Sequence, residues 1–465
     1  MKTYLFYDIE TTGLSKSFDQ VLQFAAIRTD LNLKELKRYE LKIKLNPDVI
    51  PSPYALMTHK MGIHAIEEGE SEYDAIKQIH QWLNEPGTIS LGYNTLGFDD
   101  EFLRFSFYRH LLTPYTHQFA NQCSRMDIYP MAVMYHLFKP HVIEWPQKNG
   151  MLSLKLEEIN AANQFISGRS HDAMIDVEVT LELARRFRQE REMWDYLHGY
   201  FNKQIDTQRT QPLQNQIALL VDGIFGSADK FQCPAIFLGN HRHYTNQSVW
   251  MRLDLGTLRE TTPENVAITT RVNEKKPGTK NKKSGEPSFI LPLSKHQLTD
   301  ERIMSAKQNY EWLTHHPEIT RCIMDHYLDY TYPDYPEADH QTTLYQSGFW
   351  SRDEEFFANR FHAVTPVEKS NLLKPTLTPR TYALALRILG RYFPETLTPA
   401  QREEFNAYLA KSYINDPTKA AIDYQGRPRM TPFAALNDIQ KIRENPISPP
   451  DEALLNELEQ YLRGK

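Results

Sequence analysis

The sequence predicts an α/β fold in which helices cover a sheet. Residues 4–10, 21–30 and 38–45 read as three successive strands, the third with apolar side chains at alternate positions. These strands predict an opening β-meander. Residues 75–83 then carry apolar side chains at helical spacing, and residues 88–94 read as a short buried strand. Strands that alternate with helices are typical of a layered architecture in which ligands gather at one end of the strands.

Length and composition set the class of protein. The chain has 465 residues, of which 40% are apolar and 24% charged, as in ordinary globular proteins of two to four domains at roughly 100–200 residues each. No run approaches the roughly 18 consecutive apolar residues of a membrane span, and Met1 leads directly into the first strand instead of a signal peptide. We therefore expect a cytoplasmic protein that does not contact membranes. Its three distant cysteines argue against a disulfide framework or a zinc site, and its net charge of −6 argues against a protein coated in basic residues.

Two carboxylates end the first predicted strand. Asp8 and Glu10 are two residues apart, so both project from the same face of the strand, whereas Ile9 points into the core. We interpret the pair as a candidate metal-binding edge, and the alternative is an exposed polar edge of the sheet. Because unpaired acids are seldom buried, the metal interpretation requires further carboxylates.

Asp99 is the next candidate carboxylate. It follows Asn94 and Phe98 after the strand at 88–94, and it lies in the first turn of a helix predicted over 98–111. The positive end of the helix dipole favours a negative side chain there. Taken alone, Asp99 is therefore better explained by a helix-start preference than by catalysis.

A histidine and a fourth carboxylate occur later in the chain. Ile175, Val179 and Leu183 recur every four residues and predict a helix with one buried face. Asp176 lies close to that face, where an unpaired carboxylate is costly. His171 precedes it by five residues, at the helix start, where it would reach the same cleft; a surface or capping histidine is the alternative.

Together, Asp8-x-Glu10, the Asn94 to Asp99 turn and His171-x-x-x-x-Asp176 resemble the three motifs of the DEDD superfamily of 3′-to-5′ exonucleases, in the variant whose last motif carries histidine (DEDDh). Within that superfamily the chain is similar to the bacterial single-strand DNA exonucleases, also at residues 222–226 and 344–349. The resemblance implies an α/β ribonuclease-H-like exonuclease domain with a mixed sheet flanked by helices, then an SH3-like β-barrel domain with a helical extension, then a C-terminal helical domain. The implied bounds are 1–195, 203–345 and 346–465.

The later part of the sequence is compatible with that order. Residues 202–216 read as a polar linker, and three short strands separated by turn residues follow, as in a small barrel: 218–225, 235–239 and 248–255. A basic segment then reads as a mobile loop, either a solvated insertion or a flap that contacts phosphates; its cations are Arg271, Lys275, Lys276, Lys280, Lys282 and Lys283. From about residue 298 helical periodicity dominates, for example at 382–393 and 454–462.

The candidate residues define a hydrolytic chemistry. Four carboxylates favour a hard, oxygen-preferring cation, Mg²⁺ or Mn²⁺, over zinc. Two such ions, roughly 3.5–4 Å apart, can activate a water and stabilise a departing 3′ oxygen. By resemblance, Asp8 bridges two Mg²⁺ ions and Glu10, Asp99 and Asp176 complete their ligation. His171 is the expected general base, since an imidazole titrates near neutrality.

The resemblance implies a substrate and partners as well. It implies hydrolysis of single-stranded DNA to 5′-mononucleotides in DNA repair and recombination, with Glu10, Arg104, Tyr115 and Lys155 in contact with the strand. Aromatic stacking and phosphate neutralisation are the sequence-tolerant way to hold a single strand. We expect a monomer, with single-strand-binding protein as a further candidate partner.

Two alternatives stay open at the level of sequence. One is an RNA-trimming 3′-to-5′ exonuclease with the same metal site, because the sequence reveals no 2′-hydroxyl contact. The other is a catalytically silent single-strand-binding module, which the presence of all four carboxylates and His171 disfavours.

Overall fold

The computed structural model describes residues 2–168, 171–273, 276–414 and 416–464. Its strands are β1 (Thr3–Thr11), β2 (Val21–Thr29), β3 (Glu35–Lys42), β4 (Thr88–Leu91), β5 (Ser124–Arg125), β6 (Gln147–Lys148), β7 (Met151–Leu152), β8 (Ala218–Val221), β9 (Gln232–Asn240), β10 (Gln247–Arg252), β11 (Arg271–Asn273), β12 (Lys276–Pro277), β13 (Thr279–Lys283) and β14 (Phe289–Pro292).

The helices are α1 (Pro53–His59), α2 (Ile63–Glu67), α3 (Glu72–Leu83), α4 (Asp99–Arg109), α5 (Ile128–Phe138), α6 (Leu156–Asn163), α7 (Ala173–Arg188), α8 (Arg191–Gly199), α9 (Lys203–Thr210), α10 (Val266–Thr269), α11 (Asp300–His315), α12 (Pro317–Leu328), α13 (Arg352–Ala363), α14 (Pro366–Leu372), α15 (Pro379–Tyr392), α16 (Pro399–Ser412), α17 (Pro432–Arg443) and α18 (Pro449–Arg463), with short 3₁₀ segments between them. None of the described helices is long and apolar enough to cross a membrane.

The chain divides into two compact units. The first contains Met1–Arg125, Ile166–Leu181 and Pro333–Lys465, and the second contains Met126–Phe165 and Glu182–Tyr332. The C-terminal helices thus cluster with the N-terminal sheet.

The sheet of the first unit is mixed, as the sequence predicts. Its strand order is β3-β2-β1-β4-β5. Strand β1 runs antiparallel to β2, which runs antiparallel to β3, so the opening meander is confirmed. On its other side β1 runs parallel to β4. Every residue of β2 is buried, as expected for a strand between two neighbours.

Two hydrophobic cores of the first unit join the N-terminal part of the chain to the C-terminal helices. In one, Phe105 and Tyr108 of α4 share a cluster with Leu384 and Ile388 of α15. In the other, buried side chains before and within α1 pack with α18; the group includes Leu22, Ile50, Leu56, Leu455 and Leu458. The predicted helical region near the C-terminus is therefore present, and its apolar faces are covered by the N-terminal part of the same unit.

The second unit contains a five-stranded antiparallel sheet in the order β13-β10-β9-β8-β14. It includes all three strands predicted between residues 218 and 255. Among the described residues, β13 and β14 are the two edges of the sheet, which is open. Closure into an SH3-like barrel stays a prediction.

Two predictions for this unit are wrong. Part of the predicted linker is the helix α9, whose Asp206 is fully buried. Part of the predicted mobile basic loop is the strand β13, where the Lys282 amine lies 2.6 Å from the Asp206 carboxylate and is 3% exposed. Lys280 is also paired, at 2.9 Å from Asp222. Tertiary ion pairing orders both polar segments; Lys275 lies outside the described residues.

Candidate active site

Strand β1 delivers two acids to one end of the sheet of the first unit. Asp8 is partly buried and Glu10 is partly exposed, while Ile9 between them is 4% exposed in the core. Beside β1, strand β4 ends at Leu91 and the chain turns at Gly92. A Cβ on Gly92 would lie 2.4 Å from the Tyr7 carbonyl oxygen, so only glycine permits this close approach.

Helix α4 brings Asp99 to the same place. Asn94, which follows the turn, has φ of 63°, a left-handed conformation that asparagine adopts more readily than most residues. Asp99 then begins α4 and its Oδ1 accepts a hydrogen bond from the Ile9 backbone N–H at 3.2 Å. This bond places the start of α4 against β1, between Asp8 and Glu10.

Helix α7 and the residues just before it contribute the remaining two candidates, Asp176 and His171. The His171 backbone is left-handed, with φ of 61°, and its N–H donates to Asp176 Oδ2 at 3.3 Å. One ligand atom each from Glu10, His171 and Asp176 can be chosen so that all three lie within 4.8 Å of one another. Residues 161 and 166 positions after Glu10 are therefore grouped with it closely enough to share a cation.

The carboxylates around Asp8 repel one another, which favours binding of a cation. Burial raises the pKa of Asp8 well above its ordinary value, and the nearby charges of Asp99, Asp176 and Glu10 raise it further. Asp172 adds to the same field, while its Oδ1 accepts a hydrogen bond from the Met174 N–H at 3.1 Å, at the start of α7. A divalent cation among these oxygens would relieve the repulsion, so the residues fit such an ion.

The five candidates line one cleft of about 440 Å³. Other residues that the sequence did not single out also line it, among them Leu14, Tyr54, Thr58 and His59. The Leu14 side chain is 84% exposed and Tyr54 is 50% exposed. An apolar residue directly after an acid motif and turn is the only sequence signal that would have found Leu14.

The predicted strand-binding residues have different surroundings. Arg104 is 4% exposed, and its guanidinium pairs with Asp100 at 2.6 Å and Glu101 at 2.5 Å. Burial lowers the pKa of Arg104, but the two carboxylates outweigh it and the pKa is raised. Tyr115 is partly buried with its ring 5.6 Å from the Arg104 guanidinium carbon. Lys155 belongs to the second unit, where it is exposed beside Glu157 at the start of α6. Substrate contact by these three residues stays a prediction.

Comparisons with known proteins agree with this geometry. Residues 5–184 match the RNase_T family model, described as exonuclease. Exodeoxyribonuclease I of Escherichia coli K12 is 35% identical over 235 residues, which cover 48% of this chain and 48% of that protein. The chain thus matches about half the length of that curated relative.

Solved structures match over the full chain. An exonuclease I from Methylocaldum szegediense, described as moderately thermophilic, has a TM-score of 0.84 and 25% identity, and the match covers 100% of this chain and 99% of that one. A zinc-bound complex of E. coli exonuclease I with single-stranded DNA has a TM-score of 0.88 and 22% identity, with coverage of 100% and 99%. At that identity the likeness establishes a shared fold.

Proposed function

We propose that this chain, whose residues 5–184 form a domain of the exonuclease family, is a 3′-to-5′ exonuclease that hydrolyses single-stranded DNA to 5′-mononucleotides. The observation that carries the proposal is the meeting of Asp8, Glu10, Asp99, His171 and Asp176, from three separate elements, in one cleft. Its likeness to exonuclease I structures, one of them with single-stranded DNA, supports the substrate class.

The four carboxylates would hold the metal. Oxygen ligands favour Mg²⁺, with Mn²⁺ as a substitute, and the raised pKa of Asp8 reflects the negative field that a cation would neutralise. When bound, two divalent ions would activate the attacking water and stabilise the departing 3′ oxygen. Because the E. coli complex contains zinc, the choice of ion is part of the test.

The protein's own groups position the reaction. His171, fixed through its backbone N–H to Asp176, is placed to accept a proton from the attacking water. Glu10 lies beside it and would also contact the 3′ end of the strand. The exposed side chains of Leu14 and Tyr54 line the same cleft and offer apolar surface to a terminal base without reading its identity.

The remaining assignments follow the same family. We propose that residues 203–345 form its SH3-like barrel domain with a helical extension, supported by the five antiparallel strands, between an exonuclease domain at 1–195 and a helical domain at 346–465. We also propose that the protein is a monomer and that it contacts single-strand-binding protein.

Digestion of end-labelled strands tests the function. A 5′-labelled single strand should shorten progressively from its 3′ end, and a 3′-labelled strand should release labelled mononucleotide at once, only with a divalent ion present. Matched duplex and RNA oligomers test strand selectivity and the RNA-trimming alternative. Release of mononucleotide from the 5′ end, or undiminished activity in chelator, would contradict the proposal.

A further inference from the structure

The loop that follows strand β1, residues 12–20, carries the exposed Leu14 and is closed at its base. The Thr12 N–H donates to the Gln20 carbonyl at 2.9 Å, and the Gln20 N–H donates to the Thr12 hydroxyl oxygen at 2.9 Å. Phe18, within the loop, is 4% exposed. A closed base and a buried side chain leave the loop few backbone conformations, which favours a fixed position for Leu14.

One buried carboxylate contacts the chain on both sides of Leu14. Asp19 is 7% exposed, and its Oδ2 accepts a hydrogen bond from the Ser15 backbone N–H at 2.7 Å. Its Oδ1 accepts a hydrogen bond from the Thr12 hydroxyl at 3.0 Å. A Cβ on Gly13 would lie 2.5 Å from Asp19 Oδ2, so glycine is needed there for the carboxylate to approach. Hydrogen bonds to a charged acceptor are strong, and Leu14 lies between the residues that they hold.

The same loop is bonded to two other elements of the cleft. The Thr12 carbonyl accepts a hydrogen bond from the Ser52 N–H at 2.7 Å. Ser52 is the N-cap residue of α1, the helix that carries Tyr54, and both residues line the cleft. The Lys16 amine donates to the Gly97 carbonyl at 2.5 Å, in the turn before α4. The position of the loop is therefore tied to α1 and to the turn that leads into α4.

The second half of the loop is held independently of the Asp19 carboxylate. Arg109, the last residue of α4, is 3% exposed. Its guanidinium donates to the backbone carbonyls of Ser17 at 3.1 Å and of Asp19 at 2.9 Å. Removal of the Asp19 side chain should therefore free the half of the loop that contains Leu14 and leave residues 17–19 in place.

We propose that Asp19 is a positioning residue for the reaction: its carboxylate fixes Leu14 at the cleft, and through Leu14 it sets the fit of the terminal nucleotide. Asp19 is not among the described residues that line the cleft, so it acts through Leu14 and not on the substrate. A side chain that is already held in place loses little conformational freedom when a ligand binds, which strengthens binding. The inference rests on the proposed function, in which Leu14 offers apolar surface to a terminal base.

Steady-state kinetics of the full chain on short single strands with Mg²⁺ test the assignment. Asp19→Ala and Leu14→Ala should each raise KM roughly 10-fold, as for the loss of part of the apolar contact of one leucine. Both should change kcat little, because the carboxylate cluster is intact. The double variant should have the KM of the more affected single variant, since both changes remove the same contact. Fold-changes in KM that multiply would show that Asp19 does not act through Leu14, and would overturn the proposal.

A second pair of variants reaches the same contact from its other partner. Thr12→Val removes the hydroxyl that donates to Asp19 and should raise KM, whereas Thr12→Ser keeps a hydroxyl and should behave as the wild type does. Asp30→Ala is the matched control. The Asp30 carboxylate likewise accepts backbone N–H groups, those of Asn32 at 2.8 Å and Lys34 at 2.9 Å, in the turn between β2 and β3. Its loss should leave KM unchanged.

Hydrogen exchange measured by mass spectrometry distinguishes positioning from misfolding. In Asp19→Ala, amides of residues 12–16 should exchange faster, and those of β2 should keep the wild-type rate. Faster exchange at 12–16 with a wild-type KM would overturn the proposal. If Asp19→Ala unfolds instead, equal KM values for Thr12→Val and Thr12→Ser would overturn it.

Binding of single strands in chelator separates this inference from the proposed function. If the wild type fails to hydrolyse DNA, the proposed function fails. A loss of affinity in the Asp19 and Leu14 variants that is not additive would then still support Asp19 as the residue that positions Leu14 for binding. Wild-type affinity in Asp19→Ala, with weakened binding in Leu14→Ala, would overturn the inference.

Discussion

At the scale of single residues, the charge of Asp8 lowers the stability of the folded protein but favours binding of a cation. Its raised pKa means that its charged form destabilises the folded state at every pH above the ordinary carboxyl pKa of about 3.9. The cost is present at neutral pH and fades as the pH falls toward that value. Such stored repulsion is typical of sites that bind a cation.

Asp8→Asn should therefore stabilise the metal-free protein while it abolishes hydrolysis. In chelator at neutral pH, we expect calorimetry to show a Tm a few degrees higher, at roughly 2–4 °C per kcal/mol for a domain of this size. Added Mg²⁺ should raise the Tm of the wild type and have little effect on the variant. Glu403→Gln, at an exposed acid, is the control. An unchanged or lower Tm for Asp8→Asn in chelator would count against the repulsive cluster.

His171 can be tested with a substitution that its backbone permits. Because its φ is 61°, any L-residue other than glycine is strained there, and asparagine, like histidine, tolerates the left-handed region better than alanine does. We expect His171→Asn and His171→Ala to lower kcat by roughly 10² to 10⁴, as for a lost general base, with little change in KM. A rise in KM with kcat preserved would assign His171 to substrate binding.

At the scale of elements, α9 and β13 depend on one buried ion pair. Asp206 is fully buried, and it accepts from the Lys282 amine at 2.6 Å and from the Gly285 N–H at 2.7 Å. Burial lowers the pKa of Lys282, and the nearby charge of Asp206, which raises the pKa, offsets only part of that effect. Lys282 is thus engaged in holding two elements of the second unit together and has no cation to offer a phosphate.

Lys282→Met should destabilise the protein by about 3–5 kcal/mol, the usual cost of leaving one member of a buried pair alone. Lys283→Met, at an exposed neighbour 41% accessible, should change stability by less than about 0.5 kcal/mol. Urea unfolding of the second unit measures both. The double variant Asp206→Leu with Lys282→Met should recover most of the loss, and equal effects of the two single variants would contradict the pairing.

Periodicity and spacing predict the elements whose apolar faces are clear. The meander, α4, α7 and the C-terminal helices follow from such patterns, and residues 5–184, which contain all three motifs, match the exonuclease family model. Helix α9 and strand β13 escape prediction because their sequences are polar and their order comes from a partner some 76 residues away. The pairing of Arg104 could have been predicted, since Asp100 and Glu101 precede it by four and three residues on one predicted helix. Its burial could not, because burial comes from tertiary packing.

At the scale of the whole chain, the C-terminal helices complete the first compact unit. Asp48 is fully buried and lies 2.6 Å from the Arg391 guanidinium and 3.1 Å from that of Arg429. The Tyr408 hydroxyl donates to the same carboxylate at 2.6 Å. All three partners belong to the last 75 residues of the chain, so a chain that ends near residue 190 would leave Asp48 without these partners and expose two apolar cores.

The variant Asp48→Asn distinguishes this structural role of the C-terminal helices from a role in binding DNA. Burial raises the pKa of Asp48, but Arg391 and Arg429 outweigh it and hold the pKa well below its ordinary value. The stabilisation is therefore present above the ordinary carboxyl pKa and is lost only as the pH falls through the depressed value. Asp48→Asn should cost about 3–5 kcal/mol, equally across about pH 5 to 8, as measured by urea unfolding.

Below its lowered Tm, the Asp48→Asn protein should hydrolyse DNA at the wild-type rate, because the carboxylate cluster is untouched. A chain ended before residue 333 should fail to fold, which limited proteolysis would show as immediate degradation. If that truncated chain instead folds and digests short oligomers with ordinary efficiency, the C-terminal helices serve DNA binding alone. Asp48→Asn tests whether the helices contribute stability alone. If the folded variant loses activity, the helices also act on the catalytic cleft.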